Sequence, residues 1–266
     1  MTEMRPTIDS QLAEKLQKLG LSETVRRAPE IFATAARERW TPSEFLRRIA
    51  DIELEHRAEV ELTARLAEAA FPDLKTLEEF VVAESSISQD RVGYLASLSW
   101  LTARENLVLV GPAGTGKTHL LTGLGLHAIQ AGFHVRYFAA VELVESLYRA
   151  LADNSVGRVI DEILDADFII LDEMGFYPLD DIGCQLLFRF VAAAYERRSL
   201  GVASHWPFES WGRFLPERTT AVSLLDRLLH HSVVIVTTGE SFRLREAKTR
   251  ERPWRRPEPS AAQSGK

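Results

Sequence analysis

The chain has 266 residues, 45% hydrophobic and 26% charged, with a formal net charge of −6, enough for one mid-sized domain and a smaller second one. That balance argues against a wholly basic coat for nucleic acid, and no apolar run approaches the roughly 18–20 residues of a membrane span. The N-terminus has no hydrophobic signal region, and the single cysteine, Cys184, excludes an intrachain disulfide or a multi-cysteine metal site, so a cytoplasmic protein is expected.

Residues 1–95 read as a small all-helical domain. Leu12, Leu16 and Leu19 share one helical face, and Gly20 ends that segment. Thr41-Pro42-Ser43-Glu44 is a capping box with proline at the first helical position, so a helix is expected from there. Its apolar stripe is Phe45, Ile49, Ile52, Leu62 and Leu66, and Phe71-Pro72 ends it. The charge-dense stretch 51–57 reads as a solvated face. From about residue 96 to 245 the pattern alternates between strands and helices, which predicts a parallel α/β sheet covered by helices. Strands are predicted at Leu107–Val110, Val135–Ala139, Phe168–Leu171, Leu200–Ser204 and Val233–Thr237. Helices are predicted at 117–131, 141–152, 156–165 and 183–198. After the last strand there is no room for a sizeable helical C-terminal domain. Between Arg243 and Arg256, seven cations stand against two acids, a local excess of five positive charges. The stretch 246–266 is either a phosphate-neutralising arm or a solvated disordered tail, since Pro253, Pro257 and Pro259 interrupt any helix.

The chemistry concentrates at residues 111–118, Gly111-Pro112-Ala113-Gly114-Thr115-Gly116-Lys117-Thr118, a complete GxxxxGK[ST] loop between a predicted strand and helix. Its glycines let the backbone curl so that N–H groups point at phosphate oxygens. Lys117 would place a point charge on the β/γ-phosphates, and the Thr118 hydroxyl would complete a Mg²⁺ shell.

Phe168-Ile169-Ile170-Leu171-Asp172-Glu173 is a buried-type strand ending in two carboxylates. In a sheet beside the loop, Asp172 would hold Mg²⁺ and Glu173 would act as general base on the attacking water. That second acid favours hydrolysis over phosphoryl transfer to an acceptor. Ser204-His205 ends the next strand, and His205 either reaches the γ-phosphate or lytic water or is an ordinary loop histidine. Arg227, in a leucine-rich helical segment, is either half of a surface ion pair or an arginine finger reaching a neighbouring subunit's site. Adjacent His230-His231 are not read as metal ligands, because sequence neighbours usually point apart and no spaced histidines or cysteines accompany them.

Three blocks carry a more specific likeness: Gly111 to His119, Ile170-Leu-Asp-Glu-Met-Gly-Phe-Tyr-Pro-Leu-Asp180 and Leu224-Leu-Asp-Arg-Leu-Leu-His-His231. With Gly239-Glu-Ser-Phe-Arg243, Glu44-Phe-Leu46 and Phe71-Pro-Asp-Leu-Lys-Thr-Leu-Glu78, the chain over roughly residues 10–245 resembles the IstB family. These are ATP-binding helpers of insertion-sequence transposition, related to the DnaC helicase loaders. The resemblance implies an AAA+ P-loop NTPase fold with a five-stranded parallel sheet, a helical N-terminal domain and little or no C-terminal lid. It implies ATP and Mg²⁺ as ligands, with His119 closing the nucleotide motif. It also implies ATP hydrolysis, self-assembly into a homo-oligomer on double-stranded DNA, and a cognate transposase as partner. By position Arg227 matches the family's arginine finger, and Arg243 would sense nucleotide. Arg149 and Arg158 lie where related initiator-type ATPases meet DNA. One departure stands out: the family usually has Ser-Asn after the fourth strand, whereas here His205 follows Ser204. The rival readings are a replicative helicase loader, an ATP-dependent assembly module with negligible turnover, and a small-molecule kinase.

Overall fold

The computed structural model describes residues 8–216 and 218–245, so the basic stretch from 246 onward lies outside the described residues. Internal contacts divide the chain into two compact units, one ending at Ala67 and one beginning at Glu68.

The first unit is helical: α1 (Ser10–Lys18), α2 (Ser22–Glu38) and α3 (Pro42–Ala69), whose last two residues fall past the boundary. The expected capping box forms. Glu44 Oε2 accepts the Thr41 N–H at 2.7 Å, and Thr41 Oγ1 accepts the Glu44 N–H at 3.3 Å, an arrangement typically worth about 1 kcal/mol. The start of α2 is capped from another helix, since its Thr24 N–H donates to the buried Glu53 carboxylate at 2.6 Å. Phe32 stacks on Phe45, so α3 uses part of its expected stripe. The α1 stripe is not a core face, because Leu12 and Leu19 are exposed.

The second unit is built on a five-stranded sheet: β1 (Asn106–Val110), β2 (Val135–Ala139), β3 (Phe168–Met174), β4 (Ser199–Ser204) and β5 (Ser232–Val236). All pairings are parallel and the spatial order is β2-β3-β4-β1-β5. Every expected strand is present, and β3 runs three residues further than its apolar pattern. The connecting helices are α6 (Lys117–Gln130), α7 (Ala140–Ala152), α8 (Val156–Ile163), α9 (Asp181–Ala194) and α10 (Arg218–His230). Short helices α4 (Gln89–Ala96) and α5 (Ser99–Thr102) lead into β1, which is buried along its whole length as a central parallel strand should be. Trp100 is fully buried edge-on against Phe168 and donates its indole N–H to Leu95 O at 3.0 Å. Among the described residues, no helix is long and apolar enough to cross a membrane.

Residues 68–95, expected with the N-terminal helices, belong instead to the sheet-bearing unit. The reason is visible along α6, which carries glycines where a side chain would collide with this segment. A Cβ at Gly125 would lie 2.8 Å from Phe71 Cζ, one at Gly123 would lie 3.1 Å from the Leu77 amide nitrogen, and one at Gly116 would lie 2.9 Å from Phe80 Cε2. Two mid-helix glycines cost about 1 kcal/mol each against alanine. Here that cost lets an extended strip of chain dock flush on the helix that follows the phosphate loop.

Candidate functional site

The loop 111–116 leaves the C-terminal end of β1 and delivers Lys117 as the first residue of α6, with Gly116 at φ 90° capping the helix. Such a helix start gathers unpaired N–H groups and the positive end of the dipole at one point. Gly111 takes φ 144°, and a Cβ there would lie 2.2 Å from Thr237 O. The loop is thus pressed against the chain that leaves β5. Thr237 donates its N–H to Val110 O at 2.7 Å, its hydroxyl meets Thr115 Oγ1 at 2.7 Å, and the Phe242 N–H donates to Gly114 O at 2.9 Å. This strap in turn holds the segment before α4, through Thr238 N–H to Ser86 Oγ at 2.9 Å and an Arg245–Glu84 ion pair at 3.5 Å. The Gly239–Arg243 block therefore lies behind the phosphate loop, and Arg243 itself is exposed.

Lys117 is 8% exposed and donates to Gly111 O at 2.6 Å and Pro112 O at 2.7 Å. Burial holds its ammonium below the ordinary lysine pKa, and the Asp172 charge partly offsets this. The strand carrying Asp172 is not the neighbour of β1; β4 lies between them. That intervening strand ends in Ser204-His205, which sets His205 in the gap between the loop and the acids. Ser204 is buried and fastens all three strand ends. Its O accepts the Gly111 N–H at 3.1 Å, its hydroxyl donates to Met174 O at 2.8 Å, and its Oγ accepts the Trp206 N–H at 3.1 Å.

The two acids differ sharply in environment. Asp172 is 3% exposed, accepting from Tyr137 Oη at 3.0 Å and from the Glu173 N–H at 2.8 Å. Glu173 is exposed because β3 bulges there. The β3–β4 register shifts between Leu171 and Met174, Glu173 takes φ 57° and Gly175 φ 85°. A bulge re-aims one side chain, and a left-handed non-glycine residue stores about 1–3 kcal/mol of strain, a state that concentrates at functional sites. Tyr137 carries no signal in the sequence that marks it for this role. Burial first, then the Asp172 charge, pushes its phenol well above the ordinary tyrosine pKa, so it remains a hydrogen-bond donor.

His205 is half-buried between Phe176 (ring centroids 6.1 Å apart) and Trp206 (4.8 Å). Burial first, and the Lys117 charge second, pull its pKa below 6.5. Lys117, Asp172, Glu173 and His205 are therefore brought together at the strand ends. His119 is turned toward the docked segment, with Nε2 2.9 Å from Thr76 O and its ring edge-on to Phe80. Thr118 is half-buried, whereas Pro112 and Ala113 are exposed on the loop's outer side. Arg227 makes its contacts within its own helix and on α9, donating to Ser223 O at 3.0 Å and lying 4.8 Å over the Phe188 ring. Arg149 and Arg158 are exposed near the ends of α7 and α8, with Arg158 paired to Glu162 at 2.8 Å. One expectation fails: the His230 and His231 rings converge rather than diverge, with centroids 4.1 Å apart, because the helix ends between them.

The hard oxygen donors available here, a buried carboxylate at Asp172 and the Thr118 hydroxyl beside a helix N-terminus, suit Mg²⁺ with a triphosphate. This sheet, with the loop on β1 and the acid pair on β3, has the AAA+ P-loop fold. The chain belongs to the IstB-like ATP binding protein family, whose profile matches residues 14–250. It is 34% identical over 260 residues to an insertion-sequence protein of Sinorhizobium fredii described as ATP-binding, covering 97% of this chain and 87% of that one. It is 33% identical over 234 residues to the insertion sequence IS21 protein of Pseudomonas aeruginosa, also described as ATP-binding, covering 88% of each. Among solved structures, AMPPCP-bound DnaA from Aquifex aeolicus superposes with a TM-score of 0.52 at 19% identity, over 68% of this chain and 55% of that one. DnaI superposes with a TM-score of 0.52 at 17% identity, over 62% and 91%. At those identities the likeness is one of fold.

Proposed function

We propose that this protein is a Mg²⁺-dependent ATPase of insertion-sequence transposition that assembles on duplex DNA in its ATP state and controls its cognate transposase. The observation that carries the ATPase reading is the convergence of Lys117, Asp172, Glu173 and His205 on one phosphate loop. The loop N–H groups from Gly111 to Thr118 cradle the phosphates. Lys117 exchanges its two carbonyl partners for β/γ-oxygens, a trade that keeps its buried charge compensated. Thr118 and Asp172 hold Mg²⁺, which when bound neutralises charge on the phosphates. Glu173, exposed on its bulge, accepts the proton of the attacking water. His205 donates a hydrogen bond to that water or to the γ-phosphate, the part played by asparagine in the family's usual Ser-Asn.

Arg227 supports a shared site. Its contacts are a backbone carbonyl of its own helix and the Phe188 ring on α9, partners it can exchange for the γ-phosphate of a neighbour. ATP then promotes assembly, exposed cations such as Arg149 and Arg158 neutralise DNA phosphates without reading bases, and hydrolysis releases the subunits.

The test is ATP hydrolysis with and without duplex DNA, read alongside particle size by negative-stain microscopy. DNA-stimulated turnover with ATP-dependent particles is expected. Particles without turnover would favour a pure assembly module. A chain that stays monomeric on duplex with ATP, a non-cleavable analogue or ADP would refute the proposal.

A further inference from the structure

We infer that Glu196, His230 and His231 form a binding site for a divalent transition metal of the Zn²⁺ class, separate from the nucleotide site. One nitrogen from each imidazole and one carboxylate oxygen lie within 4.8 Å of one another, and His231 Nε2 is 3.7 Å from Glu196 Oε1. The carboxylate alone would serve Mg²⁺ or Ca²⁺ equally, but two imidazoles in the set favour a transition metal over those hard cations. Zinc–nitrogen bonds of about 2.0–2.1 Å require tetrahedral ligand atoms about 3.3 Å apart. The three groups must therefore close by up to about 1.5 Å, which exposed side chains achieve by changes in their dihedrals.

A bare ion pair between a surface histidine and a surface glutamate would be unremarkable. Here the backbone beneath the cluster is fixed on both sides. Asn106, buried at the start of β1, donates its side-chain amide to Leu228 O at 3.1 Å and its own N–H to His231 O at 2.8 Å. Its side-chain oxygen accepts the Leu200 N–H at 2.9 Å. The end of α10 and the start of β4 are thus clamped to the same residue. Glu196 sits in the turn between α9 and β4 at φ 57°, with the Arg197 and Arg198 N–H groups both bonded to Ala194 O.

A third feature orients a ligand. Tyr195 Oη lies 2.8 Å from His230 Nδ1. With that nitrogen protonated toward the phenol oxygen, Nε2 is left with its lone pair free, the outer-shell arrangement that ligating histidines use. Preorganised backbone and an oriented imidazole are what make a three-ligand surface site selective rather than incidental. Three protein ligands leave a coordination position for water or a donor from another molecule. Because His230 lies three residues after Arg227 on α10, occupancy would stiffen the turn that carries this arginine.

The experiment is titration of the full-length, untagged protein with ZnCl₂ by calorimetry, with Co²⁺ absorbance as the geometric readout. One equivalent per chain, a raised melting temperature and visible Co²⁺ bands are expected. His230→Gln and His231→Gln should each weaken binding by about 10-fold or more, and Tyr195→Phe by about 10-fold through the lost orientation. Glu196→Gln, at an exposed turn, should weaken it without altering the fold, as checked by circular dichroism. Lys117→Ala should leave Zn²⁺ affinity unchanged, so failure of the nucleotide reading would not register here. Absent saturable binding, or binding undiminished in both histidine variants, would overturn the inference.

Discussion

The Tyr137 phenol on β2 donates to Asp172 Oδ2 on β3 at 3.0 Å, across a parallel register that pairs Tyr137 with Ile170. The acid at the heart of the site is thereby held from a strand that contributes nothing else to it.

Tyr137→Phe is expected to lower the melting temperature by about 3–12 °C and to raise the Mg²⁺ concentration for half-maximal turnover about tenfold. A hydrogen bond to a charged group contributes about 1.5–3 kcal/mol, which is a factor of ten or more. Unchanged Mg²⁺ dependence would show that Asp172 needs no such support.

Glu173→Gln should cut turnover by about 10²–10⁴-fold while ATP binding persists, leaving long-lived assemblies on DNA. Lys117→Ala is the complement, losing nucleotide binding itself. Fluorescent-analogue binding alongside phosphate release separates the two. Normal turnover in the glutamine variant would remove Glu173 as the base.

Arg227→Ala should leave the ATP affinity of dilute protein nearly intact and depress turnover of the assembled form by about 10³-fold. Mixing it with an excess of Glu173→Gln protein, whose arginine is intact, should restore activity in part. The absence of such rescue, with normal particles, would argue that the arginine acts only within its own chain.

Acidification tests His205. Unfolded, it titrates near 6.5; folded, its pKa is lower, because burial and the Lys117 charge oppose protonation. The folded state thus binds fewer protons in that window, so its contribution is present above pH 6.5 and is lost as pH falls through the folded pKa. His205→Asn should flatten this loss between pH 7 and 5 in thermal melts. The same slope in both proteins would assign the acid sensitivity elsewhere.

Gly125→Ala adds a methyl 2.8 Å from Phe71 Cζ and 3.0 Å from Ile170 Cδ1. Overpacking costs about 1–3 kcal/mol, against about 1 kcal/mol gained in helix propensity. The net cost of about 0–2 kcal/mol should lower the melting temperature by up to about 8 °C. A rise would mean that the docked segment yields freely.

The five strands were legible because buried parallel strands read as apolar runs between turn residues, and Gly111–Thr118 and Asp172-Glu173 announced themselves by residue type. What escaped was whatever depended on spatial order. Nothing in the sequence says that β4 lies between β1 and β3, so the placing of His205 between the loop and the acids was not legible from its residue type. Tyr137 looked like any aromatic in a strand, and its partner is 35 residues away. Phe71, Leu77 and Phe80 read as the end of a helical domain because their acceptors are glycines, which leave no hydrophobic signature. The convergence of His230 and His231 depends on a helix ending between them, and element boundaries are the least legible feature of a sequence.

The strap formed by Thr237–Phe242 also has a practical side. A reporter dye at the exposed Glu240 would lie two residues from the amide that grips Gly114, so its emission could follow phosphate binding in real time without touching any group that handles nucleotide. Cutting the polypeptide ahead of Thr237, by contrast, would unfasten the loop from behind, and such a fragment would understate the affinity of the intact molecule.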